Sequence, residues 1–260
     1  MLGAALAVLG KVVWTVLWAV AWPVHPPNQL LRERFPPPAG FQRVETERGS
    51  FGQWLSELPL LPDGAQVHLY NGELKNRQNV HAAVVDIDVG TRDLQQCADA
   101  VMRLRAEWLW TQKRSKDACF VAASGKKLTF GGGDYRAYRR WLDTVFTWAN
   151  TGGLKSQLQP VADETQVQPG DVWIVGPQGG MPVGHAVLVL DVVRHPKGDT
   201  WMLLAQSYMP AQQVHVLKNV QAPSLGAWFP ATPHGGLQSP EWPFPPGSLR
   251  RFSTKSECGR

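Results

Sequence analysis

Cysteine is scarce in this chain, and its placement excludes one common use. Cys97, Cys119 and Cys258 are the only three, and they lack the paired close spacing that a structural zinc site needs. An odd number leaves at least one thiol unpaired in a monomer. Two arrangements stay open: a disulfide between Cys97 and Cys119 with Cys258 loose, or a free thiol retained in an oxidising compartment. Charge is thin as well, with Asp, Glu, Lys and Arg at 18% of residues, which describes neither a coiled coil nor a disordered chain. The balance is +5, but Lys and Arg are scattered and no basic run interleaves with aromatics. That speaks against nucleic acid and for anionic surroundings such as an envelope polymer or a membrane surface. Ser124-Gly125-Lys126-Lys127 lacks the earlier glycine of a phosphate loop, and Gly131-Gly132-Gly133 opens no dinucleotide fingerprint, so neither ATP nor NAD is expected. No repeat of fixed period is present. No histidine pairs with a carboxylate or another histidine at helical spacing, and no metal is expected.

What the chain does have is bulk. Its 260 residues are 43% hydrophobic, with 12 Trp, 21 Pro and 25 Gly, enough for one sizeable core in a loop-rich domain anchored by large aromatics. Lys11 precedes an apolar run over residues 12–18 and then Ala19-Val20-Ala21, the small-x-small site of a signal peptidase. Residues 1–21 therefore read as a signal peptide, residues 22–40 as a Pro-rich linker, and residues 41–260 as a single domain with an irregular tail. Left uncleaved, residues 3–24 approach spanning length and would anchor the protein. Either way the body is expected outside the cytoplasm, periplasmic or secreted.

Hydrophobic periodicity predicts helices over 50–58 and 135–149, a hairpin of 119–122 with 127–130, and a short helix or loop at 154–158. Strands are predicted at 42–48, 67–70, 81–89, 172–175, 185–193, 201–205 and 213–217. The strongest helix signal starts at Asp93, a cap with Gln96 at its third position, and places Leu94, Cys97, Ala98, Val101, Leu104 and Trp108 on one face. The tail from residue 222, rich in Pro, Gly and Trp, is expected to wrap the surface, its Trp228, Phe229, Trp242 and Phe244 serving as anchors or as a stacking platform for sugars. Helices followed by an antiparallel meander imply an α+β fold in which helices pack on a curled antiparallel sheet.

Chemistry points to Cys97 and His185. A nucleophilic cysteine needs a pKa below its usual value, and a helix N-terminus or a nearby imidazole supplies that; a buried core cysteine is the competing reading. His185 opens the apolar strand Gly184-His185-Ala186-Val187-Leu188, where small neighbours leave room for approach. Arg103, Arg105 and Glu107, on the helix of Cys97, read first as a solvated or structural face, with a reach to the site or a buried ion pair as the alternatives.

Pro169-Gly170-Asp171-Val172 followed by Gly184-His185-Ala186-Val187-Leu188-Val189-Leu190 resembles the corresponding segment of NlpC-type and CHAP-type cell-wall cysteine peptidases. The resemblance implies a papain-like fold with Cys97 as nucleophile, His185 as base and Gln206 as the residue that orients the imidazole. Here Gln95-Gln96-Cys97-Ala98 stands where those families have Asp-Cys-Ser-Gly, and the interval from the cysteine to Gly-Asp is longer. An oxyanion hole would use the backbone N–H of Cys97 with Gln95, Gln96 or Tyr70. From residue 42 onward the chain also resembles the bacterial family of domain of unknown function 4846. The residues that carry this include Leu69-Tyr70-Asn71-Gly72, the stretch 93–107, the segment from Gln206 to Gln212, and Pro240-Glu241-Trp242. The combined expectation is an exported papain-like cysteine hydrolase or amidase acting on a cell-wall peptide or amide without a cofactor. The alternative is a non-catalytic envelope protein that binds a glycan, a peptide or a partner on the same scaffold.

Overall fold

The computed structural model describes residues 29–177, 183–253 and 258; the signal peptide read at residues 1–21 and most of the anchor reading at 3–24 lie outside them. No helix among the described residues is long and apolar enough to cross a membrane. In chain order the elements are β1 (Gln29–Leu30), α1 (Leu31–Arg34), β2 (Gln42–Arg43), α2 (Phe51–Ser56), β3 (Pro59–Leu60), β4 (His81–Val84), α3 (Cys97–Thr111), β5 (Cys119–Val121) and β6 (Lys127–Thr129). There follow α4 (Tyr135–Trp148), α5 (Thr151–Gln157), β7 (Gln159–Pro160), β8 (Val172–Val175), β9 (His185–Arg194), β10 (Thr200–Gln206) and β11 (His215–Leu217). The chain closes with β12 (Trp228–Ala231), β13 (Leu237–Gln238), β14 (Pro243–Phe244) and β15 (Leu249–Arg251).

A nine-stranded sheet dominates, in the order β4-β11-β10-β9-β8-β15-β7, with β12 on β10 and β2 on β9. All of these pairings are antiparallel. The central strand β9 is buried from His185 through Val193. Ala186, Leu188 and Leu190 face a core shared with α2, α3, α4 and α5, while Val187 and Val189 face a second core built with Phe229, Leu237, Trp242 and Phe244. An antiparallel strand covered on both faces loses the polar alternation that marks a solvated side, which is why residues 186–190 read as one apolar run.

This architecture corrects the papain-like expectation. The chain forms a broad sheet sandwiched between a helical layer and its own C-terminal segment, and not helices packed on a small curled sheet. The tail is the second correction. Far from wrapping the surface without regular structure, it adds β12 beside β10 and β15 between β8 and β7. Regular structure also begins earlier than residue 41, because Leu31 is fully buried in the helical core and β1 pairs with β3. Residues 67–70 make only isolated bridges, His68 with Leu74 and Leu69 with Gln212, so no strand forms there. The cysteines settle as a Cys119–Cys258 disulfide with Cys97 free and buried, which excludes the Cys97–Cys119 pairing.

Candidate functional site

Cys97 is the first residue of α3, whose N-cap is Gln96 and not Asp93. The Gln96 amide donates to Asp99 Oδ2 at 3.1 Å, closing the helix start three residues later than the periodicity predicts. Asp93 is used elsewhere: its Oδ1 accepts from the Gln96 side chain at 3.0 Å and from the Ala211 amide at 2.7 Å. The shift places Cys97 nearer the exposed helix amides, which favour a thiolate. Burial works against them and prevails. It pushes the Cys97 thiol up to about 11, the charge of Asp99 adds to the rise, and the amides of Ala98 and Ala186 with the Thr151 hydroxyl oppose it. The sulfur lies 4.0 Å from the Gly184 carbonyl oxygen, against the backbone on either side of His185.

The imidazole turns to the other side. It packs beneath the C-terminal layer, 5.1 Å from the Trp242 ring and 5.9 Å from Phe244, with Tyr208 at 4.9 Å. His185 Nε2 lies 2.9 Å from Gln206 Oε1. Gln206 in turn donates through Nε2 to Glu241 Oε2 at 2.6 Å, and Lys75 Nζ reaches both oxygens of Glu241 at 2.8 and 2.9 Å. The carboxylate accepts and cannot donate in this pair, so the Gln206 amide nitrogen must face it and the amide oxygen must face the imidazole. Neutral His185 therefore carries its proton on Nε2 and keeps its lone pair on Nδ1. His215 agrees with this orientation: its Nδ1 donates to the Gln213 carbonyl at 2.9 Å, leaving Nε2 to face the second Gln206 N–H at 3.4 Å. Burial lowers His185 to about 4, Gln206 offsets part of the fall, and the Lys75 charge adds to it. Burial lowers His215 to about 3.

The predicted site residues thus divide. His185 and Gln206 are joined by a hydrogen bond, while no hydrogen bond among the described residues joins Cys97 to His185. Cys97 and Gln96 line a cleft of about 370 Å³, together with Asp99, Thr151, Gly184 and Met209; the His185 and Gln206 side chains stand behind it. Gln95 is buried, its Oε1 held by Arg103 Nη1 at 2.9 Å and its Nε2 without a partner among the described residues. Tyr70 is half-buried, and its amide donates to the Ala211 carbonyl at 2.8 Å, outside the cleft. Trp242 and Phe244 serve as anchors over the histidine and not as an open sugar platform.

Sequence reasoning missed Lys75, Glu241, His215, Tyr208 and Asp99. Glu241 and Tyr208 fall in the Pro240-Glu241-Trp242 and Gln206 to Gln212 segments that carry the family resemblance, a usable signal. Lys75 sits in a loop and shows no pattern. Tyr208 joins the two halves of the site: its phenol is raised by burial, then by the charges of Glu241 and Cys97.

Gly184 sets how closely the two halves approach. A Cβ there would collide with the Val175 carbonyl oxygen and lie 2.9 Å from the Thr151 methyl. Gly184→Ala is expected to cost about 2 kcal/mol by overpacking, read as a lower denaturant midpoint at unchanged slope; an unaltered midpoint would show that the β8–β9 mouth yields freely.

Fold and site together define an antiparallel-sheet protein with a single free thiol in a cleft and a buried, relay-held histidine beside it. The model of a family described as a domain of unknown function (4846) matches residues 31–132 and 129–251, and the chain belongs to that family. No curated protein and no solved structure matches the chain.

Proposed function

We propose that this chain is an exported cysteine hydrolase, an amidase acting on a peptide or amide of the cell envelope, with Cys97 as nucleophile, His185 as base and Gln206 as the positioning residue. The observation that carries this reading is the relay Lys75–Glu241–Gln206–His185. Lys75 and Glu241 are 6% and 7% exposed, and desolvating such a pair costs several kcal/mol per ion before attraction returns any of it. A fold that needed only stability would fill that space with apolar side chains. What the relay achieves is one tautomer of one imidazole, with Nδ1 unprotonated, in the residue next to the carbonyl that touches the thiol.

In the proposed reaction substrate binding brings the imidazole from beneath the C-terminal layer to the sulfur, and Nδ1 takes the thiol proton as sulfur bonds to the acyl carbon and the carbonyl electrons move onto oxygen. The Cys97 backbone N–H faces that oxygen, and Gln96, which lines the cleft, is the side chain placed to assist. Collapse of the adduct breaks the C–N bond, and the amine leaves with the proton from His185. Water then adds to the thioester carbon, giving its proton to His185; sulfur leaves, recovers a proton, and the carboxylic acid is released.

With the thiol up at about 11 and the imidazole down at about 4, the thiol holds its proton about 10 kcal/mol more tightly than His185 does. The empty site is a neutral pair, and bound substrate must close that gap. The same burial favours a second reading, a non-catalytic envelope binding protein that uses the cleft alone. Alkylation of Cys97 by iodoacetamide against pH separates the two, since Cys119 and Cys258 are paired. For the hydrolase, Cys97 should be alkylated in the folded protein at a rate that climbs toward the thiol value of about 11, and His185→Ala should leave that alkylation unchanged while slowing acylation of Cys97 by an activated amino-acid ester by about 100-fold. A thiol that stays unreactive until the protein unfolds would remove the hydrolase and leave the binding protein.

A further inference from the structure

Against a net charge of +5, the Cys97 cleft stands out for holding no cation. Its ionisable lining residues, among those described, are Asp93, Asp99 and Cys97. Asp93 is solvent-facing and both its partners are protein groups. Asp99 differs. It is 8% exposed, Oδ2 accepts the Gln96 amide, and Oδ1 is buried without a partner among the described residues. A buried acceptor left empty is costly, and a donor in the cleft would relieve that cost. Met209 and Val183, 39% and 38% exposed, add apolar surface to the same lining.

We propose that this cleft selects substrates bearing a protonated amine close to the scissile acyl group, with Asp99 as the specificity-determining residue that accepts the ammonium through Oδ1. The inference rests on Cys97 being the reactive group of the cleft. An anionic substrate would meet two carboxylates and no counter-charge, and a neutral one would leave Oδ1 unsatisfied. An ammonium satisfies Oδ1 and cancels a charge that holds the thiol up. Burial raises Asp99 itself well above the ordinary aspartate range, so the ammonium also stabilises the carboxylate in its ionised form. Substrate charge and thiol ionisation are thereby coupled: the correct substrate removes part of the penalty that keeps the empty site neutral.

Three methanethiosulfonates of similar size test this in the intact protein: 2-aminoethyl, methyl and 2-sulfonatoethyl. Each forms a disulfide with the Cys97 sulfur and releases methanesulfinate, and each rate is divided by that reagent's rate with free 2-mercaptoethanol. The cationic reagent should outrun the anionic one by about tenfold or more, against the positive charge of the whole protein. Asp99→Asn should bring the ratio to about one, and Asp93→Asn should leave it standing. A ratio at or below one in the unaltered protein overturns the inference even if Asp99→Asn does not fold. So does a preference that survives in Asp99→Asn or vanishes in Asp93→Asn. Cys97 that reacts readily with all three reagents without preference defeats the inference and spares the hydrolase; Cys97 inert to all three defeats both.

Discussion

Acidification from pH 7 to pH 4 should cost this protein about 3 kcal/mol of folding free energy at each of His185 and His215. Both side chains are buried, at 2% and 0% exposure, and burial holds them down to about 4 and about 3. An unfolded chain takes up a proton at each near pH 6.5, whereas the native state refuses it until near those lower values. Stability from these groups is therefore complete above pH 6.5 and is lost as pH falls toward 4. The buried carboxyls of Asp99, Asp171 and Asp191, all raised by burial, act with the opposite sign. Their native forms bind protons before the unfolded chain does. Comparison with a variant isolates the histidine contribution. Between pH 7 and 4, urea unfolding of the native sequence should lose about 3 kcal/mol relative to His215→Gln. Parallel profiles would mean that His215 protonates in place.

Arg103→Met should destabilise the fold by about 3–5 kcal/mol. Arg103 and Glu107 are both fully buried, with Nε 2.7 Å from Oε1, and Tyr135 donates to the same oxygen at 2.8 Å. The other guanidinium nitrogens bind Gln95 Oε1 and Asp88 Oδ1 at 2.9 and 3.0 Å. Removing the cation leaves the buried carboxylate with the more distant Arg139 Nη1, at 3.6 Å, and frees Gln95, two residues from Cys97. Adding Glu107→Leu should recover most of the loss, because the penalty is that of an unpaired charge and not of missing contacts. Denaturant midpoints of the single and double variants decide; equal losses in both would assign the effect to packing. The sequence favoured a solvated or structural face for Arg103 and Glu107, and the structure instead buries both as an ion pair.

Elements whose signal is local were legible. The helix at 135–149, the hairpin of β5 and β6, and the strands β8, β9 and β10 lie within a residue or so of their predicted limits, because each carries its own periodicity. So was His185 at a strand mouth, and Cys97 near a helix start, though the cap was read at Asp93 and is Gln96; Gln206 beside His185 was what the family resemblance implied, and a hydrogen bond joins the two. The second layer was not. The short strands β12 through β15 show no periodicity, and the prolines in and around them read as loop. Pro230 is exposed within β12, where an edge strand tolerates the missing N–H. The relay escaped for a different reason: Lys75 and Glu241 are 166 positions apart, and nothing near either one marks it as half of a buried pair. Asp99 looked like an ordinary polar helix residue because the cleft it lines is shared with Thr151 and Gly184, which are distant in sequence.

The position of β15 carries a consequence for biogenesis. Leu249–Arg251 fills the place between β8 and β7, and Cys258 fastens the same end of the chain to β5. A nascent chain that has not yet delivered these residues holds β8 with one edge unpaired, beside a layer that still lacks Trp242 and Phe244. Such a chain is open to pairing with its neighbours. Arrival of residues 249–251 closes that edge, and the Cys119–Cys258 disulfide can then hold it closed.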